Sequence, residues 1–138
     1  MKPNSADIKG IKFNQHAVCN SAEEMHISHL VGKVEVTIYI APYKKRWTSG
    51  FYMKVPGKEI WRPCVIGYQN YSSKREAIYN AFKGAIDVLE YFLDLLYNIE
   101  WKFGEYDDDP APVLEEMFIQ NIQKLKIHPG YYDEDVIF

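Results

Sequence analysis

Hydrophobic and polar side chains alternate along the first half of the chain. Between residues 33 and 40 every second side chain is a valine or isoleucine, and polar residues or tyrosine stand between them. This period of two is typical of a strand with one buried face. Residues 51–55 and 60–68 continue the pattern after a basic loop at 43–46, and Pro42 is expected to end the first strand. The pattern predicts a three-stranded antiparallel meander.

Helical patterns flank the predicted meander. Ser21 and Glu24 have the spacing of a capping box, which predicts a short helix over residues 21–31. Ser73 and Glu76 repeat that spacing before an apolar stripe of period 3.6, which predicts a long helix up to residue 97. A third helix is expected over residues 110–127.

These elements together predict an α+β fold in the order α-β-β-β-α-α, with the helices on one face of the sheet. We expect a single domain over residues 21–130. Residues 1–20 are interpreted as a flexible or edge-strand segment, and residues 131–138 as an acidic tail. Gly84 in the long helix costs about 1 kcal/mol relative to alanine, so close packing against the sheet is expected there.

Composition narrows the class of protein. A chain of 138 residues has the usual size of one domain. It has no run of the roughly 20 apolar residues that a membrane span needs and no secretory signal pattern, so a cytoplasmic protein without membrane contact is expected. The net charge of −3 provides no general basic field for nucleic acid. Cys64 is predicted to be a small buried hydrophobic residue.

The segment Ser73-Lys74-Arg75-Glu76-Ala77 follows the three predicted strands and opens the long helix. This order and helix start resemble the double-stranded RNA-binding domain. The resemblance implies that Lys74 and Arg75 contact phosphates, with help from the basic loop before the second strand. The implied nucleic-acid-binding residues are Lys44, Lys45, Arg46, Lys74 and Arg75.

A second resemblance rests on evenly spaced alanines in the same helix. Ala77, Ala81 and Ala85 follow a small meander, and this arrangement is similar to HicB-like antitoxins. That resemblance implies a protein that masks a partner protein.

Four residues near the N-terminus are of the types that bind zinc, namely His16, Cys19, His26 and His29. In the predicted first helix, His26 and His29 would share one face at a spacing of three. The alternative is four unrelated residues, and our prediction is that the protein has no metal and no cofactor.

Acidic and aromatic residues alternate near the C-terminus. A negative aromatic face suits recognition of a basic partner, and the excess of tyrosine and tryptophan is typical of interfaces. The alternative is ordinary solubilising charge. The predicted partner-binding residues are Tyr106, Asp107, Asp108, Tyr131, Tyr132 and Asp133.

No nucleophile elbow, Walker loop or paired-histidine zinc motif occurs in the chain. The sequence therefore predicts a non-enzymatic binding protein, adaptor-like or inhibitor-like, that docks on a protein partner or forms a homodimer. Two alternatives stay open, which are a module for double-stranded RNA and an enzyme whose catalytic residues are scattered along the chain.

Overall fold

The computed structural model describes residues 7–8, 11–12, 22–64, 70–97 and 111–132. Antiparallel strands and helices make up an α+β fold, which confirms the predicted class. The elements in chain order are β1 (Asp7–Ile8), β2 (Ile11–Lys12), β3 (Glu23–His26), β4 (Glu35–Tyr43), β5 (Arg46–Val55), β6 (Lys58–Arg62), α1 (Lys74–Tyr97), α2 (Ala111–Lys126) and α3 (Pro129–Tyr132).

The hairpin of β4 and β5 forms the centre of the sheet, and its pattern was predicted correctly. Val36, Ile38 and Ile40 are buried against the core. The strand does not end at Pro42, however, because Pro42 still pairs with Trp47. The backbone N–H and C=O of Trp47 bond to Tyr71 on the other side of β5, so the missing N–H of proline costs no ladder bond.

The main sheet has four strands in the order β3-β4-β5-β6, not three. Residues 23–26 form an edge strand along β4, so the predicted helix over this stretch is wrong. Met25 and Ile27 alternate onto the core side and pack against it, which a helix lying here would not allow. The predicted third strand is β6, and it ends just before Pro63. The short pair of β1 and β2 forms a separate ladder, and the rest of residues 1–20 lies outside the described ranges.

Helix α1 packs against β4 and β5 and was predicted closely. The Ser73 hydroxyl oxygen accepts a hydrogen bond of 3.0 Å from the Glu76 N–H, which caps the helix. A Cβ atom at Gly84 would lie 2.9 Å from Cε1 of the Phe51 ring, which confirms the expected close approach. The buried face consists of Ala77, Ile78, Ala81, Phe82, Ala85, Ile86, Val88, Leu89 and Phe92.

Helices α2 and α3 extend the same layer by packing on α1. Leu114, Phe118 and Leu125 of α2 are buried in the common core. The end of the chain was predicted as a tail from residue 131, but α3 continues to Tyr132, and residues 133–138 lie outside the described ranges. Among the described helices, none is long and apolar enough to cross a membrane.

A buried amide joins α2 to the loop after β3. Asn121 is fully buried, and its Oδ1 accepts a 2.8 Å hydrogen bond from the Val31 N–H. Its Nδ2 donates a 3.0 Å bond to the Val31 carbonyl. One side chain therefore pairs with both backbone polar groups of a residue 90 positions away.

We expect Asn121→Ala to lower the free energy of unfolding by roughly 2–4 kcal/mol, because it leaves two backbone groups of Val31 without partners, at about 1–3 kcal/mol each. Gln123→Ala, at an exposed position of the same helix, should change it by less than about 0.5 kcal/mol. Urea unfolding of both variants measures the difference. Equal losses would show that helix propensity, not the amide pairing, is responsible.

The environment of His128 predicts that the stability of the protein depends on pH. Its Nδ1 accepts a 2.9 Å bond from the Gly130 N–H, and its ring packs 4.8 Å from the Phe82 ring. Burial lowers the pKa of His128, so the unfolded chain takes up a proton at about pH 6.5 while the folded chain resists it until lower pH. The contribution of His128 is therefore present above about pH 6.5 and is lost as the pH falls towards the folded-state pKa.

Urea unfolding near neutral pH and near pH 5 should show that His128→Asn loses less stability on acidification than the wild-type protein. Asparagine keeps an acceptor close to the position of Nδ1 but cannot titrate. The other histidines are common to both proteins and cancel in the comparison. An identical loss in the two proteins would contradict the assignment to His128.

Candidate functional site

The two faces of the sheet differ in what covers them. Helix α1 covers one face, and no described helix packs on the other. The ladder places His26, Thr37, Tyr52 and Trp61 next to one another, one from each strand. Cross-strand partners project to the same side of a sheet, so these four side chains form a row on the face away from α1, where Thr37 itself is buried. Trp61 is 60% exposed.

Charged residues flank this row on both sides. Glu24 and Tyr39 are paired on one side, and Glu35, Lys54 and Glu59 are paired on the other. We call this surface the open face. It consists of Glu24, His26, Glu35, Thr37, Tyr39, Tyr52, Lys54, Glu59 and Trp61.

The tyrosines of the open face lie in a negative environment. Burial, followed by the Glu59 carboxylate with its hydrogen bond, raises the pKa of Tyr52 above its ordinary value. Burial, followed by the Glu24 carboxylate, raises the pKa of Tyr39 in the same direction. Both phenols are therefore neutral at physiological pH and keep their hydroxyl protons.

A concavity of about 520 Å³ opens between the row and the loop of residues 27–34. Its wall includes the loop that Asn121 holds in place. His26 is fixed at the rim, since its Nδ1 lies 3.0 Å from the Thr37 hydroxyl and its Nε2 lies 3.2 Å from the Glu24 carboxylate. The lining residues with polar or aromatic side chains are His26, His29, Glu35, Thr37, Tyr39 and Tyr52. Carboxylates and phenol rings together can accept a cation.

The predicted zinc cluster is only partly described. His26 lies on β3 and His29 in the loop that follows, so the two do not share a helix face. His16 and Cys19 fall outside the described ranges. Within those ranges, no group of three or more histidine, cysteine or acidic residues is arranged to hold a metal ion. Cys64 is buried against Ala41, as its position predicted.

Four of the five predicted basic residues lie at the end of the sheet that carries Trp47. Lys44 and Lys45 form the turn between β4 and β5, and Arg46 donates a 3.3 Å bond to the Asn70 carbonyl. The Lys74 ammonium lies 5.7 Å from the Trp47 ring centroid and 3.1 Å from the Glu23 carboxylate.

The side chain of Arg75 forms hydrogen bonds within the fold instead. Its guanidinium donates hydrogen bonds to the carbonyls of Gly130 and Tyr131 and so ties the start of α1 to α3. It is half-buried. The structure therefore separates Arg75 from the other four basic residues.

The predicted acidic and aromatic segments are also only partly described. Tyr106, Asp107, Asp108 and Asp133 fall outside the described ranges, as does the side chain of Tyr132. The ring of Tyr131 is half-buried and stacks on Tyr79 at 5.1 Å.

Sequence reasoning missed the open face, although its signal lies in the same alternation that predicted the strands. Tyr39, Tyr52 and Trp61 stand at the positions that do not enter the core. Only the register between strands brings them into one surface, and register requires the pairing partners to be known.

Comparison of the chain with family models, curated proteins and solved structures finds no match.

We expect Arg75→Met to lower the free energy of unfolding by roughly 1–3 kcal/mol, because bonds from a charged donor are lost and two carbonyls lose their partner. Lys74→Met removes an ion pair with Glu23 and a cation–π contact with Trp47 near the surface and should cost no more than about 1 kcal/mol. Urea unfolding compares the two. If both variants lose equally little free energy of unfolding, the internal hydrogen bonds of Arg75 are not important for stability, and Arg75 is again a candidate for phosphate contact.

Proposed function

We propose that this protein is a non-enzymatic binding module that docks on a basic segment of a partner protein through the open face. The observation that carries the proposal is the exposure of Trp61, which is 60% accessible beside Tyr52 in a row flanked by carboxylates. A large exposed aromatic residue among polar and charged side chains is typical of a binding hot spot.

The strand backbones favour this role because they hold the aromatic residues rigidly. Tyr52 lies on a central strand whose opposite face is locked by Phe51 and Met53 in the core. Tyrosine and tryptophan have few rotatable bonds, so little conformational entropy is lost when a partner covers them. The open face is therefore ready for binding before the partner arrives.

The charge of the open face indicates the chemistry of the partner. Glu24, Glu35 and Glu59 are opposed by Lys54 alone, which leaves a net charge of −2 with histidine neutral. A lysine or arginine side chain in the concavity would contact phenol rings and a carboxylate together. Cation–π contacts contribute roughly 0.5–2 kcal/mol, depending on how far the site is desolvated.

The same charge argues against a homodimer formed through this surface. Two copies would bring carboxylates against carboxylates around a two-fold axis, and like charges across an interface are unfavourable. A basic partner of different sequence fits the surface better.

Binding of double-stranded RNA is the second candidate function. Its support is the group of Lys44, Lys45, Arg46 and Lys74 around Trp47, together with the resemblance in sequence order. The Lys74 ammonium is already paired with Glu23, and Arg75 bonds within the fold. Few phosphate contacts are left, so a weak interaction with a shallow salt dependence is expected for this alternative, because the salt slope grows with the number of phosphates neutralised.

Titration of a fluorescent peptide of arginine, lysine and glycine by anisotropy tests the proposal. We expect Trp61→Ala to weaken binding about tenfold or more, which corresponds to about 1.4 kcal/mol. The double variant Glu35→Gln and Glu59→Gln should weaken it roughly three- to tenfold and flatten its salt dependence. An acidic peptide of equal length should not bind.

The matched control is the double variant Glu90→Gln and Glu116→Gln, which removes the same charge from the helical side of the molecule. It should change the affinity less than twofold. If the two double variants weaken peptide binding equally, net charge alone explains the binding and the proposal is wrong. Binding of duplex RNA that is lost in Lys44→Gln with Lys45→Gln would favour the second candidate.

A further inference from the structure

A second concave site lies at the edge of β5, where β6 leaves the sheet. The β5–β6 ladder ends at the pair of Phe51 and Arg62, and the next described partner of this edge is Tyr71 at Trp47. Between these points a cleft of about 610 Å³ opens against α1. Its polar and aromatic lining includes Trp61, Arg62, Tyr71, Asn80, Lys83 and Asp87.

Two glycines line this cleft, and each allows close packing at its wall. A Cβ atom at Gly50 would collide with the Arg62 carbonyl oxygen, so only glycine lets the chain cross β5 as closely as it does here. Gly84 lines the cleft from α1 and leaves the surface of that helix without a side chain. The walls of the cleft are therefore closely packed at both glycines.

The cations of the cleft have no carboxylate partner among the described residues. Among the described residues, neither Arg62 nor Lys83 forms an ion pair, although the Arg62 guanidinium lies 5.5 Å from the centroid of the Phe51 ring. Asp87 lies one turn after Lys83 on α1 and also lines the cleft. The three side chains together leave a charge of +1.

The backbone of β5 adds further polar groups. Trp47 exchanges hydrogen bonds with Tyr71 on the β6 side of the strand. Backbone groups of an antiparallel strand alternate from side to side, so the N–H and C=O of Ser49 point to the same side, into the cleft that Ser49 lines.

We propose that this cleft binds a small organic anion whose carboxylate or phosphate group is held between Arg62 and Lys83 and whose planar part lies against Tyr71. The volume falls in the range of small-molecule sites, about 300–1,000 Å³. A guanidinium fork binds two anionic oxygens at once, and an ammonium adds a point charge. Asp87 selects for a ligand that also carries a hydroxyl or amine donor and disfavours a high negative charge.

Amide chemical shifts of the full-length, ¹⁵N-labelled protein provide the test, with phenyl phosphate and benzoate as probes. Inorganic phosphate and benzyl alcohol test the anionic and the planar part separately. We expect shifts at Ser49, Gly50, Lys83 and Gly84 and at least tenfold tighter binding of an aromatic anion than of inorganic phosphate. The tighter of the two aromatic anions identifies the preferred head group.

Arg62→Gln and Lys83→Gln should each weaken the aromatic anion at least fivefold. Lys54→Gln removes an equal charge from β5 on the open face and should leave it unchanged, and Asp87→Asn should tighten phenyl phosphate. The dispersion of the amide spectrum establishes that each variant is folded. Shifts scattered over surface lysines, equal effects of Lys54→Gln and Lys83→Gln, or no shifts with either anion would overturn the proposal.

This site is independent of docking through the open face, although Trp61 borders both. The double variant Glu35→Gln and Glu59→Gln should not alter anion binding, and Lys83→Gln should not alter peptide binding. Either proposal can therefore fail while the other holds.

Discussion

The amide of Asn121 is the interaction on which the functional side of the molecule depends. It accepts a hydrogen bond from the N–H of Val31 and donates one to the C=O of Val31, as a paired strand would do. The loop of residues 27–34 is thereby attached to α2. The residues before this loop form β3, which pairs with β4. Without that attachment the concavity would lose a wall.

Both proposed sites depend on β5, one on its face away from α1 and the other on its edge next to β6. The side chains of Phe51 and Met53 are buried in the core. They fix the backbone of β5, and this fixes the position of Tyr52, whose side chain lies on the other face. At its far edge, the departure of β6 over Gly50 uncovers polar backbone beside two cations. A rigid central strand thus presents an acidic aromatic surface and a basic cleft a few residues apart.

Prediction succeeded where the information was local. The alternation in β4 and the apolar stripe of α1 are periodic over many residues, and each period is a property of one segment. It failed at residues 23–26, where a capping pattern favoured a helix. A cap contributes about 1 kcal/mol, which is less than a four-residue ladder and the burial of Met25 against the core together provide.

The sequence by itself determined which residues of β4, β5, α1 and α2 enter the core, because hydrophobic burial acts through the period of a single segment. The tertiary structure alone decided which polar residues meet. His26 joins Tyr52 and Trp61 only through strand register. Arg75 bonds to backbone carbonyls of α3, and Arg62 and Lys83 line one cleft beside the end of β6. Each of these depends on partners distant in sequence, and no pattern within one segment carries that information.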